Sequence, residues 1–447
     1  MRAAIGKIAG IGYSNKRISI ESDTFSIEED FVMRIPCLVL TAVLALTSGE
    51  LVRFDNYRVY DVAIDNVEQL QVMQYLEQFP EGYTFWESPV QTGMKVSIMV
   101  PPHKVEDFQD LCSRLEMAVS LKIENVQRLI DTERPARRKR EGFGWEDYHT
   151  LDEIYEWIDD LVAQYGDILS VELIGHSYEG REVRAVKLSH KEGNPGIFVE
   201  STIHAREWIT SATTTWILNQ LLTSTDPEVQ EIARNYDWYI LPVVNPDGFN
   251  YTKETNRMWR KTRYPHSVLC YGVDMNRNFP HHWMDGGSSI NPCTETYAGP
   301  EPASEIETKN IMNYFVEKKE KIHFYLSFHS YGQLILLPFG YQNAEKVERF
   351  GDWMEMAEAA AIALSKRYGT LYQFGNTADV LYIASGSTRD WALGAHNVSI
   401  AASYEFRDKG NYGFILPADQ IVSNSEEVLD SLIAFLAKAR ELNYFKV

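Results

Sequence analysis

The chain has 447 residues, 45% of them hydrophobic and 12% aromatic, with a formal net charge of −20. Those proportions describe a folded chain long enough for two domains and exclude a disordered polymer. The acidic balance excludes a nucleic-acid binder, which needs a basic surface.

Arg34 precedes an apolar run over residues 35–46, and Thr47, Ser48 and Gly49 follow it. This layout predicts a secretory signal peptide over 33–49, and so a secreted, extracellular protein. The run is short for a transmembrane helix, with an internal signal-anchor as the alternative. Residues 1–32 form a polar leader that a signal peptide does not need. The C-terminal segment carries Lys and Arg throughout, so no membrane anchor is expected there.

Residues 50–133 read as one small α+β domain. Alternation over 57–64 predicts a strand, and helical spacing over 66–79 a helix. Strands follow at 83–86 and 94–100, a helix at 105–115 and a last strand at 118–126. The order is βαββαβ, and the segment holds no catalytic constellation. Then comes Arg-Pro-Ala-Arg-Arg-Lys-Arg at residues 134–140. A solvated linker is one reading. A processing site for a trypsin-like or furin-like protease, cut after Arg140, is the sharper one.

Residues 141–447 alternate helices and strands. Leu151, Ile154, Ile158, Leu161 and Val162 form a helical stripe. Buried strands are expected at 196–202, 238–244 and 322–328, and helices at 208–222 and 425–442. The expected class is α/β, with a mixed, largely buried sheet covered by helices. Of the cysteines, Cys37 falls in the signal run. Cys270 and Cys293 are the natural pair in an oxidising compartment, which leaves Cys112 as a free thiol on a helix face. Asn250 and Asn397 open glycosylation sequons, a weak signal.

His204 and Glu207 stand three apart at the end of a strand-like run, and His329 closes another. Alone, a His-x-x-Glu fits an exposed polar turn equally well. Functional groups gather at the carboxyl ends of strands in open α/β sheets. Two His and one Glu suit a catalytic zinc site with an open position for water. His281 and His282 read as loop histidines without metal spacing.

Six ordered motifs give the resemblance. They are His-Ala-Arg-Glu at 204–207, Asn-Arg-Met-Trp-Arg-Lys at 256–261, Gly-Val-Asp-Met-Asn-Arg-Asn at 272–278, His-Ser-Tyr at 329–331, Tyr-Ile-Ala-Ser-Gly at 382–386 and Tyr-Glu-Phe-Arg-Asp at 404–408. The chain resembles the zinc metallocarboxypeptidases of the pancreatic carboxypeptidase A and B type, from residue 142 to its end. The small N-terminal unit resembles their activation domain, and Cys270–Cys293 their disulfide. The resemblance implies a monomeric zymogen that trims peptide C-termini. It implies one zinc ion per chain on His204, Glu207 and His329, with Asp274 orienting a ligand imidazole. It implies Glu405 as general base and Arg260 as oxyanion stabiliser. Asn276 and Arg277 would grip the terminal carboxylate, since the Arg fork binds a carboxylate through two bonds. Tyr382 would fold over the substrate. Arg206, Arg257, Ser330 and Tyr331 would line outer subsites or the cleft. The residue at the specificity position is Arg389. A-type members carry an apolar residue there and B-type members an aspartate, whereas Arg resembles carboxypeptidase O. That implies a preference for acidic C-terminal residues. The alternatives are an A-type preference for apolar residues, or an inactive zinc-dependent peptide-binding relative.

Overall fold

The computed structural model describes residues 51–78, 82–133 and 142–445. The expected leader, signal peptide and basic linker, with Cys37 and Arg140, lie outside them.

The first unit comprises β1 (Arg58–Ile64), α1 (Val67–Glu77), β2 (Thr84–Phe85), β3 (Met94–Val100), α2 (Val105–Arg114), β4 (Val119–Ile123) and α3 (Val126–Glu133). Its sheet order is β2-β3-β1-β4. The inward residues Val62, Ile64, Val96 and Ile98 pack against Met73 of α1 and Phe108 of α2. Cys112 is buried on α2. The βαββαβ order is as expected, but the last strand stops at Ile123 rather than running on to Val126. The cause is local: the Asn125 side chain accepts a hydrogen bond from Arg128 N at 3.1 Å, which starts a helix. That helix, α3, buries Val126 and Ile130 against Met258 and Ile415 of the second unit.

The second unit runs α4 (Leu151–Tyr165), β5 (Leu169–His176), β6 (Glu182–Leu188), β7 (Gly196–Ser201), α5 (Trp208–Thr223), α6 (Pro227–Asn235), β8 (Asp237–Leu241) and α7 (Pro246–Glu254). It continues with α8 (Ile306–Lys318), β9 (Ile322–His329), β10 (Leu334–Leu337), α9 (Phe350–Tyr368), β11 (Gln373–Asn376), α10 (Thr377–Val380), α11 (Thr388–His396), β12 (Ile400–Glu405) and α12 (Ile421–Glu441). Helix α4 starts where the sequence offers a reciprocal cap. Glu153 N donates to Thr150 Oγ1 and Thr150 N to Glu153 Oε2. Its stripe of Leu151, Ile154, Ile158 and Leu161 is buried. Helix α12 begins four residues before the expected 425, led in by a turn of 3₁₀ helix over Ala418–Gln420.

Eight strands form the large sheet in the order β11-β10-β12-β9-β7-β8-β6-β5. The central four, β12-β9-β7-β8, are mutually parallel, and β5, β6 and the β10–β12 pair add antiparallel edges. Helices cover both faces, so β7 and β8 are buried at every position. No helix of the described residues is long and apolar enough to cross a membrane.

Burial also strains one carboxylate away from the site. Glu307 of α8 is 1% exposed; its Oε1 accepts Tyr178 N at 2.9 Å, and its Oε2 has no partner. Burial pushes its pKa up to about 7, against the Tyr178 N–H, which favours the ionised form. The folded pKa lies above the unfolded one, so this group's stabilisation is full below about pH 4.5 and is lost as pH rises through about 7. The loss is on the order of 3 kcal/mol. Glu307→Gln keeps an acceptor for Tyr178. It is expected to lose less Tm than the parent chain between pH 5 and pH 8, and equal losses would refute the assignment.

Candidate active site

The sheet delivers the site residues. After β7 the chain turns at Thr202, a β-branched residue at φ +58, and passes His204 and Glu207 before α5 starts. Strand β9 ends on His329 and β12 on Glu405, and these two residues are direct neighbours in the parallel register. Three groups from distant sequence positions therefore meet at the carboxyl edge of one sheet.

His204 Nδ1 lies 2.8 Å from Glu207 Oε1, and His329 Nδ1 lies 3.2 Å from His204 Nδ1 and 3.3 Å from Glu207 Oε2. All three residues are buried, and among the described residues they are the one cluster with metal-ligand spacing. Tetrahedral ligands at about 2.0–2.1 Å from zinc stand about 3.3 Å apart. The donors therefore fit a zinc ion in both spacing and type. Burial would raise the pKa of Glu207, but the two imidazoles hold its carboxylate below the usual range, ready to ligate.

Behind this cluster sits Asp274, fully buried. Its Oδ1 meets His204 Nε2 at 3.1 Å and accepts Asn276 N at 2.9 Å; its Oδ2 accepts Arg260 Nη2 at 2.8 Å. Arg277 Nη1 stands 3.9 Å from the same oxygen. Burial opposes its ionisation, but Arg260, His204 and Arg277 hold it well below the ordinary carboxylate range. The Cys270–Cys293 disulfide, with Cα atoms 4.9 Å apart, closes the loop that carries Asp274, Asn276 and Arg277. Gly386, at φ +69, lets the 382–390 segment lie against that loop, since a Cβ there would stand 2.4 Å from Arg277 O.

A cavity opens on the cluster, lined among others by Glu405, Arg260, Asn276, Arg277, Ser330, Tyr331, Tyr382 and Arg389. Burial pushes the Glu405 carboxyl upward, with His329 opposing it. Arg389, 3% exposed, donates from Nε to Asp390 Oδ1 at 3.0 Å and from Nη1 to Ser403 Oγ at 3.2 Å. Asp390 Oδ2 accepts Gly340 N at 2.7 Å, which fixes that carboxylate from the other side. Among the described residues no second acid lies within 4.0 Å of the Arg389 nitrogens. His281 and His282 stand apart from the cluster, and His282 stacks on Tyr341 at 3.6 Å.

Sequence reasoning expected the first unit to cover the cleft but named none of the residues by which it does so. Trp86 and Glu87 line the cavity. Arg206, fully buried, reaches Glu295 at 2.9 Å and Trp86 O at 3.3 Å. Tyr331 meets Trp86 edge-on at 5.9 Å and donates to Ser97 Oγ at 3.3 Å. Arg257 is gripped by both oxygens of Glu133, at 2.6 and 2.7 Å, with its guanidinium over the Trp208 ring at 3.7 Å. Glu133 ends α3, beside the basic run, and no local pattern marks it as a partner of a residue 124 positions away.

Comparison with known proteins agrees with this geometry. The zinc carboxypeptidase family pattern matches residues 154–431, and the carboxypeptidase activation peptide pattern matches residues 60–133. The chain is 42% identical over 412 residues to zinc carboxypeptidase A 1 of Anopheles gambiae, covering 91% of this chain and 95% of that one. It is 36% identical over 401 residues to carboxypeptidase A2 of Mus musculus, covering 88% and 95%. Among solved structures, thrombin activatable fibrinolysis inhibitor superposes with a TM-score of 0.79 at 29% identity over 86% of this chain and 98% of its own. Carboxypeptidase A from Helicoverpa armigera does so with 0.76 at 25% identity over 89% and 100%. The fold, the three buried donors at one sheet edge and the two family matches together place the chain in the zinc carboxypeptidase family, as a member that carries its activation peptide ahead of the peptidase domain.

Proposed function

We propose that this zinc carboxypeptidase is secreted as a precursor and removes single residues, acidic ones preferentially, from peptide C-termini. The observation that carries the preference is Arg389 in the cavity wall, with one acid beside it and its Nη edge free of any other. The disulfide supports an oxidising compartment. In this reading residues 33–49 are the signal peptide, 50–133 the activation domain, 134–140 the cleavage linker and 141–447 the enzyme.

His204, Glu207 and His329 would hold a zinc ion, which would supply a Lewis acid to polarise the scissile carbonyl and make water more acidic. Glu405 takes a proton from the attacking water and delivers it to the leaving amine as the C–N bond breaks. Arg260, held by Asp274, faces the charge that develops on the carbonyl oxygen. Arg277 and Asn276 hold the terminal carboxylate, which restricts cleavage to the last residue. Tyr382 covers the bound end. Arg206, Arg257, Ser330 and Tyr331 serve residues further from the cut.

Arg389 then meets the side chain of the last residue. A Glu or Asp substrate presents two carboxylates to two cations. A charge-assisted contact contributes about 1.5–3 kcal/mol, or about ten- to a hundredfold in rate. A Lys substrate sets like charges together. A second reading, an A-type preference for apolar residues, draws on the Arg389–Asp390 pair, which neutralises part of the charge, and on relatives named carboxypeptidase A.

The deciding measurement is kcat/KM on peptides that differ only in a C-terminal Glu, Phe or Lys. Glu is expected to lead Phe by about ten- to a hundredfold. Arg389→Ala should remove that lead, and Arg389→Asp should move it to Lys. If Phe leads in the parent enzyme and Arg389→Ala leaves Glu cleavage unchanged, the A-type reading replaces this one.

Zinc dependence is tested by dialysis against a chelator. Activity should vanish and return with one zinc ion per chain, and activity indifferent to chelation rejects the scheme.

Latency is read in precursor that cannot be cut, with Arg137, Arg138, Lys139 and Arg140 replaced by Ser. It is expected to be inactive, and full activity there rules out activation by cleavage. In the same background Glu133→Ala leaves Arg257 with the carbonyls of Arg206 and Phe414 but without its acid, at a cost of roughly 3–5 kcal/mol. The activation domain should then lift off more often, with activity rising about tenfold or more. Unchanged activity would remove Glu133 as a latch.

A further inference from the structure

The two imidazoles of the metal cluster are supported differently. His204 turns its Nε2 to Asp274 at 3.1 Å. His329 turns its Nε2 to Ser327 Oγ at 2.8 Å, and Ser327 Oγ donates in turn to Glu200 Oε1 through a short hydrogen bond. The sheet sets this chain of contacts. Ser327 and His329 are two apart on β9, so their side chains share a face. Glu200 lies opposite Ser327 in the register of β7 with β9. From the other side, Thr388 Oγ1 donates to the same Glu200 oxygen at 3.0 Å. Ser327 Oγ, whose proton goes to Glu200, is free to accept from His329 Nε2–H, and Asn276 Nδ2 stands further off at 3.4 Å.

A carboxylate with 0% exposure inside a parallel sheet is costly to bury. Packing alone would be served by an apolar residue at that position. Taken on the ligand assignment proposed above, we infer that Glu200, acting through Ser327, is a positioning residue for His329. It holds the imidazole with the proton on Nε2 and the Nδ1 lone pair facing His204 and Glu207. The arrangement does for His329 what Asp274 does for His204, with a serine hydroxyl inserted between carboxylate and ring. Outer partners of this kind typically change metal affinity ten- to a hundredfold when removed.

The test uses the full-length zinc-loaded precursor and measures zinc affinity by competition with a chromogenic chelator, without any substrate. Ser327→Ala is expected to weaken zinc binding about ten- to a hundredfold. Glu200→Gln, which keeps an acceptor oxygen but drops the charge, is expected to weaken it about several-fold. In protein labelled with ¹⁵N-histidine, Glu200→Gln should shift the His329 Nε2–H resonance and leave that of His204 in place. A folded Ser327→Ala chain that holds zinc as tightly as the parent overturns the inference. If Ser327→Ala does not fold, Glu200→Gln decides, and parental affinity with an unmoved His329 resonance overturns it equally. His329→Ala separates the two levels. Retention of zinc at parental affinity there means that the ligand assignment has failed. Loss there with no change in Ser327→Ala means that only the present inference has.

Discussion

A single buried carboxylate, Asp274, ties together groups that no secondary-structure element could bring together alone. It touches the His204 imidazole, the Arg260 guanidinium and the Asn276 amide, and it lies within 4 Å of Arg277. His204, Arg260 and Arg277 are buried, and the two guanidinium groups would be costly to desolvate without an opposite charge. The carboxylate makes the cationic side of the cleft possible, and those cations keep the carboxylate ionised. The disulfide limits how far the supporting loop can move, and Gly386 lets the pocket segment lie directly on it. The rest of the cleft is arranged around this neutralised cluster.

The activation domain uses the same electrostatics. It places Glu133 on Arg257 and the Trp86 carbonyl on Arg206, two buried arginines that do not themselves line the cavity. Trp86 packs on Tyr331 and Phe414, which closes the apolar part of the entrance. The activation domain therefore sets an aromatic ring, Trp86, and a carboxylate, Glu87, in the wall of the cleft. Glu133 is followed at once by the basic run, so the Glu133–Arg257 pair and the proposed cleavage point are close in sequence.

Much of this was legible in the residues. The βαββαβ order followed from alternation and helical spacing, and the capping pair Thr150 and Glu153 marks the start of α4. The buried strands β7, β8 and β9 appear as apolar runs because both of their faces are covered. Helix α3 was missed because its signal is one Asn cap followed by a β-branched residue, which reads equally well as a strand. Strand β12, which ends on Glu405, has Ala401, Ala402 and Ser403 in its middle, small residues without strong strand preference.

By itself the sequence determined the motifs, their order and the residue types at the cluster, because metal ligation demands particular side chains. It also determined the two-unit layout, because periodicity and caps are local properties of the chain. Only the tertiary structure decided that Arg389 shares its charge with Asp390 and Ser403, that Glu133 closes on Arg257, and that Glu200 stands behind His329 through Ser327. Most of these pairings join residues that are far apart in the chain, and strand register and the docking of two units create them. Arg389 and Asp390 are neighbours in sequence, but the direction their side chains take is set by the pocket that surrounds them.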